Sequence, residues 1–148
     1  MTEANKRLVR EFVDAVNRQD WQRFNELVAP EVIRHSSTFG QSGVRGRQKL
    51  RANFIDEFKT FKNACETINF MVAEGDKVAV HSHFQGVQEG PLGSFPPSGR
   101  ILSADFITIY RIADGRIVEA WTEWYALSGL IQLGPLQPPT QQSAAFAE

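Results

Sequence analysis

Two acidic side chains, Asp105 and Glu123, lie in neighbouring segments that alternate polar and apolar residues. The segments ILSADFITIYRI and RIVEAWTEWYAL flank Ala113-Asp114-Gly115, so they predict an antiparallel hairpin. A three-residue turn with glycine in the left-handed position sets Ile112 opposite Arg116. Counted outward, this register places Asp105 opposite Glu123. In an apolar pocket such a pair opposes double ionisation, so one carboxyl keeps its proton near neutral pH, as a general acid or base requires.

A second interpretation of the same carboxylates is structural. On a solvated sheet face they would pair with arginines close in sequence, namely Arg100, Arg111 or Arg116. The predicted register puts Trp121 and Tyr125 on the face that carries Asp105 and Glu123, and aromatic neighbours favour a pocket. We therefore predict Asp105 and Glu123 as acid/base residues, and Trp121 and Tyr125 as pocket residues.

Histidines are the next candidates for chemistry. We predict His35, which ends a short extended segment, and His81 as donors to an oxygen that gains charge during a reaction. His35 could instead be a loop residue bonded to nearby backbone. His81 and His83 share a strand face, and one of them is expected to line the pocket with Gln85. No third ligand stands at a recognisable spacing, so no metal site is predicted.

A helix predicted from Gln48 to Phe61 carries apolar residues on one stripe: Leu50, Phe54, Ile55, Phe58 and Phe61. We predict that Asn53, Phe54 and Phe58 face a substrate pocket, with Asn53 as a hydrogen-bond donor. The alternatives are that Asn53 lies on the surface and that the aromatic side chains form an ordinary packed core.

The remaining elements follow from periodicity and turn residues. Amphipathic spacing predicts a helix over residues 3 to 18, and Asp20 can cap a second helix that ends before Pro30. Ile68, Phe70 and Val72 alternate up to a turn, and KVAVHSHFQG returns as the next strand. The Gly/Pro-rich residues 87 to 99 predict a long loop, either a cover for the pocket or a rigid connector. Helices followed by a curled antiparallel sheet make the class α+β.

Composition limits the function classes. The chain has 148 residues, 42% of them hydrophobic, and a formal net charge of -1, which predicts one domain and disfavours nucleic acid or an anionic membrane as partner. Its single cysteine, Cys65, excludes an internal disulfide. The sequence has neither a secretory leader nor an apolar run of membrane-spanning length, so we predict a cytoplasmic protein. The domain is expected over residues 1–134, with a flexible Pro/Gln-rich tail over residues 135–148.

Several segments together resemble a known family. The helical opening, APEVIRH, GPLGSFPPSGRIL, DFITIYRIADGRIVEAW and the closing LIQLG are similar to SnoaL-like polyketide cyclases (ester cyclases) of the NTF2-like superfamily. The resemblance covers roughly residues 5 to 134. It implies a cone-shaped fold with a curved sheet wrapped around three N-terminal helices, a deep apolar pocket, and a homodimer formed through the outer face of the sheet.

The sequence departs from the family at one functional position. Relatives commonly carry an aspartate a few residues after the tryptophan of the IVE-x-W motif, where this chain has Trp124 and Tyr125. The family's carboxylate and histidine pair is therefore not carried over, and fold alone does not assign chemistry.

The resulting prediction is an enzyme of acid/base type that needs no cofactor. Asp105 or Glu123 would remove a proton next to a carbonyl of a hydrophobic substrate, and His35, His81 or Tyr125 would stabilise the enolate oxygen. The reaction would be an intramolecular aldol cyclisation, an isomerisation or a dehydration. The alternatives are a non-catalytic protein that binds an apolar metabolite, and an assembly domain that docks through its sheet.

Overall fold

The computed structural model describes residues 1–36 and 43–138. Its elements are α1 (Thr2–Asn17), α2 (Trp21–Leu27), β1 (Val28–His35), β2 (Val44–Arg45), α3 (Arg47–Thr60), β3 (Phe61–Glu74), β4 (Lys77–Gln88), β5 (Ile101–Ala113), β6 (Arg116–Trp124) and α4 (Ala126–Leu133). Part of the predicted tail, residues 139–148, lies outside the described residues.

Local sequence explains the helical opening. Val9, Phe12 and Val13 of α1 recur at helical spacing and are buried. The Asp20 side chain caps α2 as predicted, because its Oδ1 accepts a hydrogen bond from the Arg23 backbone N–H at 3.0 Å. The stripe predicted for α3 is shorter than expected, since the helix stops at Thr60 and Phe61 already belongs to β3.

The strands form one curved mixed sheet in the order β2-β1-β6-β5-β4-β3. Neighbours are antiparallel except β1 and β6, which run parallel. In the described residues the chain combines four helices with this one six-stranded sheet, which confirms the predicted α+β class with its curved, mixed sheet. The helices α1, α2 and α3 pack on one side of the sheet, and their buried side chains form the main core.

The predicted register of the β5–β6 hairpin is wrong by two residues. Ala113 pairs with Arg116 and Ile107 pairs with Glu123, so Asp105 does not face Glu123. The reason is the turn: Asp114 and Gly115 both have positive φ, 53° and 71°, which is a two-residue turn rather than a three-residue one. An irregularity between Arg111 and Ile112 adds a further shift.

The apolar alternation predicted for β3 is also interrupted. The pairing with β4 shifts between Ile68 and Phe70. An irregularity of this kind reverses the faces of the residues that follow it. Phe70 and Val72 are therefore 59% and 61% exposed, while Ile68 packs against the core.

The two faces of the sheet differ in character. The inner face, turned toward α1 and α3, carries buried side chains that include Val78, Val80, Ser82, Thr108 and Tyr110. The outer face carries the residues between them, including His81, His83, Ile107, Ile109 and Trp121. No helix in the described part of the chain is both long and apolar enough to cross a membrane.

Candidate functional site

A cavity of about 730 Å³ lies between the inner face, α1 and α3. Its wall is largely aromatic and aliphatic, with Phe12, Phe54, Phe58, Phe84, Phe106 and Trp124 among the lining residues. This volume is in the range of small-molecule sites, and an apolar wall with a few polar groups is typical of them. The polar groups in the wall therefore indicate what chemistry the cavity can support.

Glu66 of β3 is one carboxyl of the cavity wall whose pKa is strongly raised. Its backbone is fixed by Asn17, whose Nδ2 donates to the Glu66 carbonyl at 2.8 Å and whose Oδ1 accepts from the Glu66 N–H at 2.9 Å. The Ser82 hydroxyl donates to Glu66 Oε2 at 2.8 Å. Burial raises the pKa of Glu66 to about 7, the Ser82 hydrogen bond opposes that rise, and the charge of Glu57 adds to it. Glu66 can therefore hold or release a proton near neutral pH.

A second buried carboxyl, Glu57, comes from α3. Burial raises the pKa of Glu57, while the positive charge of Arg34 favours its ionised form. Arg34 extends from β1 with its guanidinium carbon 5.5 Å from the centre of the Phe54 ring. Burial lowers the pKa of Arg34, and the Glu57 charge opposes that change. The Arg34 Nε atom is buried without a hydrogen-bond partner among the described residues.

Hydroxyl groups complete the polar part of the inner face. Burial raises the pKa of Tyr110 well above its usual value, so its hydroxyl stays neutral. Thr108 and Thr122, from adjacent strands, place their Oγ1 atoms 3.1 Å apart. All three residues border the cavity, which thus combines the carboxyls of Glu57 and Glu66, the guanidinium of Arg34 and neutral hydroxyls.

Asp105 and Glu123, the predicted acid/base pair, are not brought together. Asp105 is among the residues that line the cavity, and its Oδ1 lies 2.7 Å from His83 Nδ1. Glu123 is exposed on the outer face, opposite Ile107. The proposed sharing of one proton required the register that the turn at Asp114 rules out.

His35 and Trp121 also belong to the outer face. Their rings are stacked with centroids 5.3 Å apart, and His35 Nε2 lies 2.6 Å from Glu119 Oε2. Glu119 also accepts a hydrogen bond from Arg111 Nε at 3.1 Å. The His35 hydrogen bond is the main reason that the pKa of Glu119 lies below its usual value.

His81 likewise faces away from the cavity, which corrects the expectation that a histidine of β4 lines it with Gln85. The His81 ring stacks on Phe70 at 4.8 Å, and its Nδ1 lies 3.0 Å from Asn69 Nδ2. The core side of β4 is the face of Val78 and Val80, as predicted, and it continues into the cavity wall. In the described ranges no three His, Cys, Asp or Glu side chains are grouped to hold a metal ion.

The residues predicted on α3 lie where the cavity is. Asn53, Phe54 and Phe58 all line it, and their contact with a substrate stays a prediction. Tyr125 does not line it and is 64% exposed at the start of α4. The structure therefore brings the α3 candidates and Asp105 to the cavity wall and separates them from Glu123, His35 and His81.

Three functional candidates, Glu66, Glu57 and Arg34, were missed from the sequence although each carries a signal. Glu66 stands two residues before Ile68 and so shares its strand face. Glu57 follows Phe54 by three residues on the apolar stripe of α3. Arg34 follows the buried Val32 by two residues in β1. A charge on a core-directed face is the informative pattern in each case.

One side of the cavity mouth is formed by the loop between β4 and β5, which contributes Pro91, Leu92 and Gly93. The buried Gln88 holds this loop: its Nε2 is within 3.2 Å of the Gly90 carbonyl and 3.3 Å of the Pro96 carbonyl. Its Oε1 accepts from the Ser98 hydroxyl at 2.7 Å. The long loop predicted over residues 87 to 99 thus covers part of the cavity in a defined shape.

The chain matches the sequence profile described as SnoaL-like polyketide cyclase over residues 6–133. No curated protein matches it significantly. Among solved structures, TsrD from Streptomyces laurentii is 31% identical, with 90% of this chain and 97% of that chain covered and a TM-score of 0.78. IdmH from Streptomyces antibioticus, described as a candidate polyketide cyclase, is 26% identical, with 88% and 98% covered and a TM-score of 0.76.

A third structure supports the fold alone. A candidate SnoaL-like polyketide cyclase from Jannaschia sp. CCS1 is 24% identical, with 94% of this chain and 96% of that chain covered and a TM-score of 0.82. This likeness confirms the NTF2-like arrangement of a curved sheet around helices. From the match over residues 6–133, the chain belongs to the SnoaL-like polyketide cyclase family.

Proposed function

We propose that this protein is an acid/base enzyme that needs no cofactor and acts on a hydrophobic carbonyl compound bound in the inner cavity. The observation that carries the proposal is Glu66, a carboxyl with a pKa of about 7 on an apolar cavity wall. A proton carrier works best when its pKa is near the working pH. Burial supplies that match here.

Each polar group of the cavity takes a role that its charge allows. Ionised Glu66 removes a proton from the carbon next to the substrate carbonyl. Arg34 and the neutral hydroxyl of Tyr110 stabilise the negative charge that develops on the carbonyl oxygen. Glu57 balances the buried charge of Arg34, and in its protonated form it can donate to an oxygen that leaves as water.

The cavity wall indicates the substrate class. Aromatic side chains around about 730 Å³ suit a flat compound with several rings or a chain that folds into rings. An intramolecular aldol cyclisation, an isomerisation and a dehydration all begin with the same proton removal. The choice among them depends on the substrate, and all three fall within the proposal.

Proton removal can be tested without the natural substrate. The protein is incubated in deuterium oxide with a panel of aryl 1,3-diketones, and exchange at the carbon between the carbonyls is followed by NMR. We expect acceleration by the wild-type protein and a loss of roughly a hundredfold or more in Glu66→Gln, because general acid/base catalysis normally contributes that much. Glu74→Gln is the matched control, since Glu74 is exposed on the same strand.

The outcomes distinguish two functions. Exchange that stays within about threefold of wild type in Glu66→Gln would overturn the assignment of Glu66. Binding of the diketones with no acceleration by the wild-type protein would favour the second candidate, a non-catalytic protein for an apolar metabolite. The apolar wall of the cavity is the observation that favours this alternative.

We also propose that the protein forms a homodimer through the outer face. Phe70 and Val72 of β3 and Ile107 and Ile109 of β5 are exposed there, on either side of His81 and Ala79 of β4. A contiguous exposed apolar surface of this kind marks an interaction site. In a dimer with twofold symmetry, this patch on one subunit packs against the same patch on the other.

A further inference from the structure

Arg34 brings a positive charge into the wall of the inner cavity without a full partner for it. Its Nε atom is buried and donates to no atom of the described residues. Glu57 acts on the pKa of Arg34 through charge alone, with no hydrogen bond between the two side chains. A guanidinium keeps its proton in proteins, and a buried charge is unfavourable unless it is paired and hydrogen-bonded. The guanidinium therefore needs a partner that the described residues do not supply.

Phe54 and the surrounding protein leave one part of this guanidinium for a ligand. The guanidinium carbon lies 5.5 Å from the centre of the Phe54 ring, so the ring covers one face of the planar group. Nε is enclosed. Because Arg34 nevertheless lines the cavity, its polar contact with a bound molecule is made through the two Nη groups. Their N–H groups run parallel and match the two oxygens of a carboxylate.

The buried carboxyls of the wall compensate this charge only in part. Burial raises the pKa of Glu57 and raises the pKa of Glu66 to about 7, which favours the neutral forms of both. Glu66 also accepts a hydrogen bond from the Ser82 hydroxyl at 2.8 Å. An anionic ligand can therefore supply the compensation that Arg34 still lacks.

The more exposed acids of the wall already have partners of their own. Asp105 Oδ1 lies 2.7 Å from His83 Nδ1. Asp56 Oδ1 lies 3.8 Å from Lys59 Nζ, and both of these side chains are largely exposed. Neither acid contributes to the pKa of Arg34. As far as the described residues form it, the interior of the cavity thus has its positive centre at Arg34.

The sheet places this charge at a defined position relative to Glu66. In the strand order β2-β1-β6-β5-β4-β3, β5 lies two strands from β1 and two strands from β3. Tyr110 of β5 is buried, and the charges of Arg34 and Glu66 both act on its pKa. Tyr110 therefore stands between the strand of the cation and the strand of the acid, and a flat ligand that spans it can contact both.

We propose that the substrate of the inner cavity is itself an acid, a flat hydrophobic ketone whose carboxylate binds the Nη groups of Arg34. This inference rests on the function proposed above and narrows its substrate class. The carboxylate occupies one pair of the N–H groups that a guanidinium offers, and the others remain, with the Tyr110 hydroxyl, for the carbonyl oxygen. The reacting carbon then lies toward Glu66. A neutral ester or amide would leave Arg34 without its counter-ion.

The test measures binding, so it needs no turnover. Isothermal titration calorimetry with the full chain at neutral pH compares 2-naphthoate with 2-naphthamide, which has the same shape and no charge. We expect the wild-type protein to bind the acid at least roughly tenfold more tightly, because hydrogen bonds between charged groups are the stronger ones. Arg34→Met should bind the two compounds alike. Arg34→Lys should keep part of the preference, since an ammonium retains the charge but not the paired N–H geometry.

Two controls separate this inference from ordinary charge effects and from the proposed proton transfer. Arg45→Met removes an exposed charge on the neighbouring strand β2 and should keep the wild-type preference. The deuterium exchange of Glu66→Gln uses diketones without a carboxylate, so it decides the proposed function independently. Exchange that depends on Glu66, in a protein with no preference for the acid, would overturn only the assignment of Arg34.

The binding data have clear contrary outcomes. Equal affinity of the wild-type protein for acid and amide would overturn the proposal, and so would a preference that persists in Arg34→Met. Binding of neither compound would overturn it too, because the cavity would then not accept a flat aromatic acid. Circular dichroism checks that each variant folds. The comparison of the wild type with Arg34→Lys stands even if Arg34→Met does not fold.

Discussion

Glu66 acquires its proton affinity from its surroundings, because an ordinary glutamate is ionised at neutral pH. The fold removes its carboxyl from water and sets Glu57 close enough for their charges to repel. Only the Ser82 hydroxyl acts in the opposite direction. A carboxyl whose pKa is higher in the folded protein than in the unfolded chain couples proton binding to folding.

The coupling gives the first prediction, a stability that decreases with rising pH. The pKa of Glu66 is raised from 4.5 to about 7 in the fold. Between those values the folded protein binds more protons than the unfolded chain does. The stabilisation that comes from the Glu66 proton is therefore complete below the pKa that Glu66 has in the unfolded chain. It is lost as the pH rises through the pKa of Glu66 in the folded protein. The loss is on the order of 3 kcal/mol over this window.

Glu66→Gln should remove this dependence. We expect the variant to be more stable than the wild type at pH 8 and similar to it at pH 4.5, in urea unfolding followed by fluorescence. The exposed Glu74→Gln serves as control and should keep the wild-type slope. A Glu66→Gln protein with an unchanged pH slope would show that another group causes the dependence.

Arg34 provides the second prediction at this scale. Its charge favours the ionised form of Glu57 while burial opposes it. Removing the charge in Arg34→Met should therefore raise the pKa of Glu57 further, as measured by carbon-13 NMR titration of the glutamate carboxyls. Arg10→Met, at an exposed position of α1, is the control. An unchanged pKa of Glu57 would show that the two charges do not interact.

Sequence reasoning located the cavity wall on α3 but not the carboxyls Glu57 and Glu66 that line it. Asn53, Phe54 and Phe58 follow a helical stripe that local periodicity can reveal. Glu66 shares the inward face of Ile68, but an irregularity after Ile68 turns Phe70 and Val72 outward, so the alternation along the whole strand does not reveal which face is buried. Asp105 was misplaced for a similar reason, because its partner depends on whether the turn at Asp114 has two residues or three.

Among the elements, the loop over residues 89–99 is anchored by the Gln88 side chain in addition to hydrogen bonds with Thr60. Gln88 is buried and hydrogen-bonds to Gly90, Pro96 and Ser98. Its backbone also binds Gly99 and Arg100. The buried Gln88 amide forms hydrogen bonds with several polar groups of the loop, as the partners in a helix or sheet would do.

Gln88→Ala should therefore loosen this loop. The lost hydrogen bonds leave buried polar groups unsatisfied, at a cost of about 1–3 kcal/mol. We expect a lower free energy of unfolding and faster hydrogen exchange of the loop amides, measured by mass spectrometry, with α1 unaffected. Gln48→Ala, on the exposed side of α3, is the matched control. Unchanged exchange in the loop of Gln88→Ala would mean that other contacts hold it.

Element types were easier to predict from sequence than element boundaries and pairings. The amphipathic spacing of Phe12 and Val13 in α1 and the cap at Asp20 are local signals, and the sequence predicted both. The continuation of α3 directly into β3 at Phe61 has no turn residue to mark it. The parallel pairing of β1 with β6 joins segments far apart in the chain, and no local signal specifies it.

At the scale of the whole molecule, the outer face predicts how copies associate. Ile109 is 37% exposed and lies between Ala79 and Trp121 in the sheet. Ile109→Glu should convert a dimer into monomers, because a charge would be buried against its own symmetry mate. Light scattering coupled to size-exclusion chromatography measures this. Leu127→Glu, at another exposed apolar position, should remain dimeric, and a monomeric wild type would contradict the prediction.

The parallel pairing of β1 with β6 has a consequence for biosynthesis. His35 pairs with Trp121, so the strand that carries Arg34 pairs early with β2 but gains its second sheet neighbour, β6, only after most of the chain has been made. A ribosome releases the N-terminal helices long before that partner emerges, and contacts so distant in sequence form slowly. The apolar faces of the N-terminal helices then stay exposed during synthesis. We expect nascent chains that stop before β6 to require chaperones.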